Sequence, residues 1–204
     1  MNKPPKIDWV TQATAEPARA RVASVARKPV KKRADVQPIA GPAFHHTLEP
    51  GAGQGRVICG QMKLSLDDYK LKVSLPAGLR EGLTGAGERL APTICALADF
   101  ALNELEKKGG TLTVIPVPED QGGLGCTFEH GRRKGPLTIE FAGSLIYPKR
   151  DGRLDRRVSV WTPDELLNRI AGAGAELGPS MAALAAWGLT YLRATGQNLV
   201  TRSG

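Results

Sequence analysis

The sequence is short of the residues on which most enzyme and metal chemistry depends. Its 204 residues hold three cysteines and three histidines. Cys59, Cys95 and Cys126 are odd in number, far apart and in no C-x-x-C spacing, which points to neither a disulfide framework nor a zinc site. His45 and His46 have no acidic or cysteine partners at ligand spacing, so they read as an ordinary polar pair in a tail rather than as metal ligands. A P-loop, a dinucleotide fingerprint and a G-x-S-x-G elbow are all missing. Glu129 and His130 are neighbours on a strand-like stretch, where successive side chains point to opposite faces, so they make a poor acid–base couple. A protein with no catalytic activity, metal or cofactor is expected. No apolar run reaches membrane-spanning length and the N-terminus has no apolar stretch of the secretory kind, so a cytoplasmic protein without a membrane partner is expected.

Acidic residues are also in deficit, 20 against 28 lysines and arginines, for a formal net charge of +8. Such a balance favours an anionic partner, and nucleic acid is the commonest one for a small basic protein. Residues 1–55 are rich in Pro, Ala, Lys and Arg without sustained periodicity, and a disordered basic tail is expected there, with a short helix near Ala13 to Ala26. Its densest cluster, Lys28 with Lys31, Lys32 and Arg33, suits an arm lying on phosphates; a solvated linker is the alternative.

What the chain does have is a repeat. Arg156 to Leu192 lies without a gap on Tyr69 to Leu105 after a shift of about 87 residues, and such repetition dictates the architecture. Pro76 falls on Pro163, Leu83 on Ile170, Pro92 on Pro179, Thr93 on Ser180, Leu97 on Leu184, Phe100 on Trp187 and Leu105 on Leu192. Each copy opens with a two-residue alternation. Leu71, Val73 and Leu75 oppose Lys70, Lys72 and Ser74; Val158, Val160 and Thr162 oppose Arg157, Ser159 and Trp161. That is the signature of a strand with one buried face. A proline then ends strand pairing and suits a helix start, and Asp164 and Glu165 set negative charge at the positive end of the helix that follows. Leu79, Leu83, Ala86 and Leu90, like Leu166, Ile170, Ala173 and Leu177, recur at helical spacing. Thr93 and Ser180 are the expected N-caps of the second helices, whose apolar faces would run from Ile94 to Leu105 and from Met181 to Leu192. Gly85 and Gly172, at matching places, are expected to permit close helix approach. Cys95 is expected to be a small core residue.

A period-two strand followed by two amphipathic helices resembles a ribbon-helix-helix unit, in which two antiparallel strands enter the DNA major groove. One copy is half of such a fold. The expected fold class is therefore α+β: two ribbon-helix-helix units in one chain forming an intramolecular pseudo-dimer, monomeric in solution, with higher association possible on DNA. The expected domains are a tail over 1–55, a first copy over 56–110 with a short strand before it, a β-rich insert over 111–155 and a second copy over 156–204. Within the insert TLTVIPV, LGCTFEH and PLTIEFAG have strand character between Gly and Pro turns, while Arg132 to Lys134, Lys149, Arg150 and Arg153 are candidate contacts to DNA backbone.

That organisation behind a basic tail resembles the VirC-operon overdrive-binding proteins and, more broadly, conjugal-transfer accessory proteins. The resemblance covers about Tyr69 to Thr195 and rests on architecture. It implies a cytoplasmic bacterial protein that binds double-stranded DNA and assists a relaxase, with a ParA-like ATPase as a further partner. On this reading Lys70, Lys72, Ser74, Arg157, Ser159 and Trp161 face base edges, where lysine and arginine donate to guanine and serine pairs with several bases. Trp161 is placed either on DNA or under the insert. Thr93, Ser180, Lys31, Lys32, Arg33 and Arg156 are the expected phosphate contacts. A transcriptional or partition repressor, and an adaptor for a relaxase or coupling ATPase that has lost DNA binding, stay open beside it.

Overall fold

The computed structural model describes residues 44–60, 69–118, 123–131, 136–143, 157–174 and 176–203. The expected helix near Ala13 to Ala26 and the basic cluster at Lys31, Lys32 and Arg33 lie outside them. The described residues have a mixed α+β architecture of eight strands and four helices: β1 (Phe44–Pro50), β2 (Val57–Cys59), β3 (Tyr69–Ser74), α1 (Ala77–Ala86), α2 (Leu90–Lys108), β4 (Gly110–Pro116), β5 (Leu124–His130), β6 (Leu137–Phe141), β7 (Arg157–Thr162), α3 (Asp164–Ala173), α4 (Leu177–Thr195) and β8 (Gln197–Ser203). Among them no helix is long and apolar enough to cross a membrane.

The two alternating segments form strands and pair with each other. β3 and β7 make a two-stranded antiparallel ribbon in which Tyr69 stands opposite Thr162, Lys72 opposite Ser159 and Ser74 opposite Arg157. Period-two alternation gives the ribbon two chemically different faces. Leu71, Val73, Val160 and Thr162 are buried, whereas Lys70, Lys72, Arg157 and Ser159 are exposed. The covered face packs on the second helix of the opposite copy, β3 on α4 and β7 on α2. Those helices cross each other closely enough that a Cβ added to Gly188 would stand 2.9 Å from the Leu97 carbonyl oxygen. Close approach is therefore made at Gly188. The expectation for Gly85 and Gly172 is overturned, because a Cβ at either would meet nothing within 4 Å. Cys95 is fully buried in α2.

The repeat reaches beyond the part legible in the alignment. β4 follows α2 and β8 follows α4 after glycines of positive φ, Gly109 and Gly196, and the shift of about 87 residues carries β4 onto β8. Each is the middle strand of a three-stranded sheet, in the orders β5-β4-β6 and β1-β8-β2. In both sheets one neighbour is antiparallel and one parallel. The registers correspond as well. Phe44 opposite Ser203 answers Leu124 opposite Pro116, and Val57 opposite Leu199 answers Ile139 opposite Leu112. Even the closing bonds match: Gly51 N–H donates to Gly196 O (2.8 Å), and Gly131 N–H to Gly109 O (3.1 Å). Behind this lies a second sequence match, Thr47-Leu48-Glu49-x-Gly51-x-x-x-Gly55 on Thr127-Phe128-Glu129-x-Gly131-x-x-x-Gly135, at a shift of about 80 residues.

The repeating unit is thus β-β-β-α-α-β, and the halves exchange their last strands, each inserting it between the first two strands of the other. Two boundaries set from sequence are corrected. The tail does not extend to Gly55, since Phe44–Pro50 pairs along its whole length with β8; the first copy does not stop at residue 110, since its last strand, β4, runs to Pro116. The three strands expected in the insert are present as β4, β5 and β6, and they form the sheet of the exchange. Leu199 of β8 is fully buried opposite Leu48 and Val57. Truncating it to Ala should cost about 2–3 kcal/mol through lost burial and the cavity left behind, measured as a lowered midpoint in urea at constant slope.

Candidate nucleic-acid interface

The outward face of the ribbon gathers all six residues expected to meet bases. Lys72 and Ser159 face each other at its middle, and they are equivalent positions of the two copies, so the approximate two-fold of the repeat passes between them. One end is made by Lys70 opposite Trp161 and the other by Ser74 opposite Arg157. The Lys70 Nζ lies 5.4 Å from the centre of the Trp161 ring, a cation–π pair across the strands. Trp161 is therefore half-buried beneath a lysine of the ribbon itself. Six residues of strand span about 20 Å, enough to lie along a major groove about 12 Å wide. Three cations on this face, with no carboxylate among its outward residues, give it a positive field.

The expected phosphate contacts need correction. Thr93 and Ser180 are interior residues of α2 and α4, fully buried, because those helices begin at Leu90 and Leu177. Their backbone N–H groups are spent on Arg89 O (3.1 Å) and Glu176 O (3.0 Å). The Thr93 hydroxyl donates to Arg89 O (2.8 Å), whereas the Ser180 Oγ is buried without a hydrogen-bond partner among the described residues. Both side chains lie against the glycines that end the first helices, Gly87 and Gly174, where a Cβ would collide with them. The signal missed was proline. Pro92 and Pro179 sit in the first turn, where a missing N–H costs nothing, so each helix starts before its Thr or Ser. The N–H groups without an intrahelical acceptor are those of Leu90 and Ala91 and of Leu177 and Gly178. Gly178 places the start of α4 against the ribbon, since a Cβ there would stand 2.9 Å from the Lys72 carbonyl oxygen. Arg156, Arg132 to Lys134, Lys149, Arg150 and Arg153 lie outside the described residues.

The residues at the two helix starts differ in charge. Arg89 is the N-cap of α2 and Glu176, its counterpart, the N-cap of α4. Both are exposed. If phosphates pass these helix starts, Arg89→Ala should weaken binding evenly across sequences and reduce the salt slope by about one, whereas Glu176→Ala should strengthen it. Titrating both variants against a fixed duplex over a range of salt checks this; equal and opposite behaviour is the expected result.

A second polar cluster, which the sequence reading missed, joins β1 to α2 and α3. The Asp99 carboxylate is fully buried and bonds His46 Nε2 through one oxygen (2.8 Å) and Arg169 through the other (2.9 Å). Arg169 also donates to Asn103 Oδ1 (2.7 Å) and to Glu106 (2.8 Å). Burial alone would lower the Arg169 pKa, but the hydrogen bond and charge of Glu106, with Asp99 and Glu165, more than offset this and raise it. His46 Nδ1 lies 3.0 Å from the Thr201 hydroxyl. The chain of carboxylate, imidazole and hydroxyl ties β1 to α2 and to β8, with Thr201 fully buried. It also corrects the reading of His46 as a polar residue of a flexible tail. Burial raises the Cys59 thiol to about 11 despite the Arg89 charge beside it, and raises Cys126 to about 12. Neither is a thiolate near neutral pH, so neither has the form that attacks or binds metal.

Comparison with protein-family models, with curated proteins and with solved structures returned no match.

Proposed function

We propose that the chain is a sequence-specific double-stranded DNA-binding protein built as a single-chain ribbon-helix-helix pseudo-dimer. The supporting observation is the β3–β7 ribbon: two antiparallel strands, one from each copy, with polar faces outward and two helices behind each. Lys70, Lys72 and Arg157 supply donors suited to guanine O6 and N7, while Ser74 and Ser159 adapt to several base edges. Exposed helix starts beside the ribbon hold it on the phosphates, which fixes register without reading sequence. The physiological role that best fits this scaffold is an accessory factor in conjugative or T-DNA-like transfer. An asymmetric ribbon gives its site a direction, and a factor that presents one strand of an origin to a relaxase needs a direction.

Anisotropy titrations of a labelled duplex at rising salt test the binding. Log affinity should fall linearly with log salt, and Lys72→Ala should weaken the preferred duplex more than a scrambled one. Adding the protein to a relaxase with its origin tests the role: faster nicking supports a transfer factor, and an unchanged rate despite tight DNA binding removes it.

A further inference from the structure

The repeat supplies an internal control, because each surface on one half has a counterpart on the other. The ribbon ends differ by a few side chains, but the flanks differ in kind. Beside β1 lies a groove of about 810 Å³. Five consecutive residues of that strand, from Phe44 to Leu48, form one wall, and parts of α2 and α3 form the other. Its floor is apolar, with Phe44 and Phe100. Its rim carries Glu104, Glu106 and Glu165. The cations there are already engaged, Lys107 by Glu104 (2.8 Å) and Arg169 by Glu106 and Asp99. The same pairs engage Glu104, Glu106 and Asp99, but with Glu165 the carboxylates are four against two cations, so the groove keeps a net negative charge on a chain of net charge +8. On the other half the counterparts of Glu104, Glu106 and Glu165 are Tyr191, Arg193 and Gly78, and those of Asp99 and Arg169 are Ala186 and Gly82. The carboxylates of this groove thus have no acidic counterparts on the other flank.

A second property belongs to the same place. β1 is an edge strand, paired with β8 on one side and with no described strand on the other. Residues from both of its faces line the groove, His45 and Thr47 as well as Phe44, His46 and Leu48. The groove therefore follows the open edge of the strand rather than one face of the sheet. An open edge offers unpaired N–H and C=O groups at strand spacing, which extended peptides use to join a sheet.

We propose that this groove docks an extended, lysine- or arginine-rich segment of a partner protein, which adds to the free edge of β1 as a fourth strand and sets its cations against Glu165 and, in exchange for Lys107, against Glu104. Charge complementarity selects this occupant. Nucleic acid is repelled by the rim, and an acidic peptide likewise. A partner held on one flank arrives on one side of whatever the ribbon holds, yet the docking itself needs only β1, α2 and α3 and stands whether or not the ribbon binds DNA.

The test uses the full chain and a fluorescent octapeptide of alternating lysine and valine. Saturable binding is expected, with amide shifts confined to β1, to the Asn103 to Lys107 turn of α2 and to Glu165 to Arg169 of α3. The Glu104→Gln, Glu165→Gln variant should bind about fivefold more weakly or worse, the scale of an exposed ion pair, with an unchanged melting temperature showing that it folds. The same peptide methylated on alternate backbone nitrogens keeps its charge and should not bind, since it cannot complete a strand. Equal binding of a glutamate–valine peptide, equal binding of the methylated one, shifts on another surface, or protection of β1 by a second copy of the chain at rising concentration would each overturn the proposal.

Discussion

Alanine at Arg157 is expected to weaken recognition at one end of the DNA site, alanine at Lys70 at the other, and alanine at Lys72 at the centre, each by about 1–3 kcal/mol against the preferred base. The assignment follows from the register. Lys70 stands opposite Trp161 and Arg157 opposite Ser74, so each end of the ribbon is built from the start of one strand and the end of the other. The strands alone would assign Lys72 to one half-site and Arg157 to the other; the pairing moves Lys72 onto the two-fold, opposite its own counterpart Ser159. Trp161→Ala should act at the same end as Lys70→Ala, because the ring holds the lysine, and the two should be non-additive. Binding of each variant to duplexes changed one base pair at a time measures this. A residue that touches only phosphate will betray itself by an even loss across sequences and a salt slope lower by about one.

Removing Arg169 should be the most damaging change outside the hydrophobic core. Arg169→Ala leaves the Asp99 carboxylate fully buried with His46 and Asn103 as its remaining partners, and breaking such a pair from one side costs about 3–5 kcal/mol. For a domain of this size that lowers the melting temperature by roughly 6–20 °C. Replacing both residues by leucine should recover much of the loss, since an apolar pair leaves no buried charge. Thermal melts of the two single variants and the double variant form the cycle. Additive losses would show that the ion pair does not hold the helices together.

Legibility in the sequence followed the range of the interactions. The β3 and β7 alternation, the helical spacing of Leu79 to Leu105 and of Leu166 to Leu192, and the three strands after Gly109 are local patterns, and all are present as elements. β1 and β8 were missed because their partners are remote: Phe44 pairs with Ser203. Their inward positions also hold His46 and Thr201, whose polarity disguises the alternation. The match of β1–β2 to β5–β6 was hidden by a change of shift from about 87 to about 80 residues, absorbed in the connection before each ribbon strand. At the site, the ribbon face was legible because alternation alone fixes it. The helix starts were not, because Thr93 and Ser180 have the chemistry of caps but follow a proline that belongs to the first turn. Asp99 lies within an otherwise apolar helix face, and that break in pattern was the available sign of the buried cluster.

Selection of binding sites from random duplex DNA by the full-length protein tests the central claim most directly. A single-chain ribbon with Lys70 and Trp161 at one end and Ser74 and Arg157 at the other should enrich a directional, non-palindromic sequence, altered at one end by Lys70→Ala and at the other by Arg157→Ala. A palindromic consensus, or no enriched sequence at all, would contradict the account.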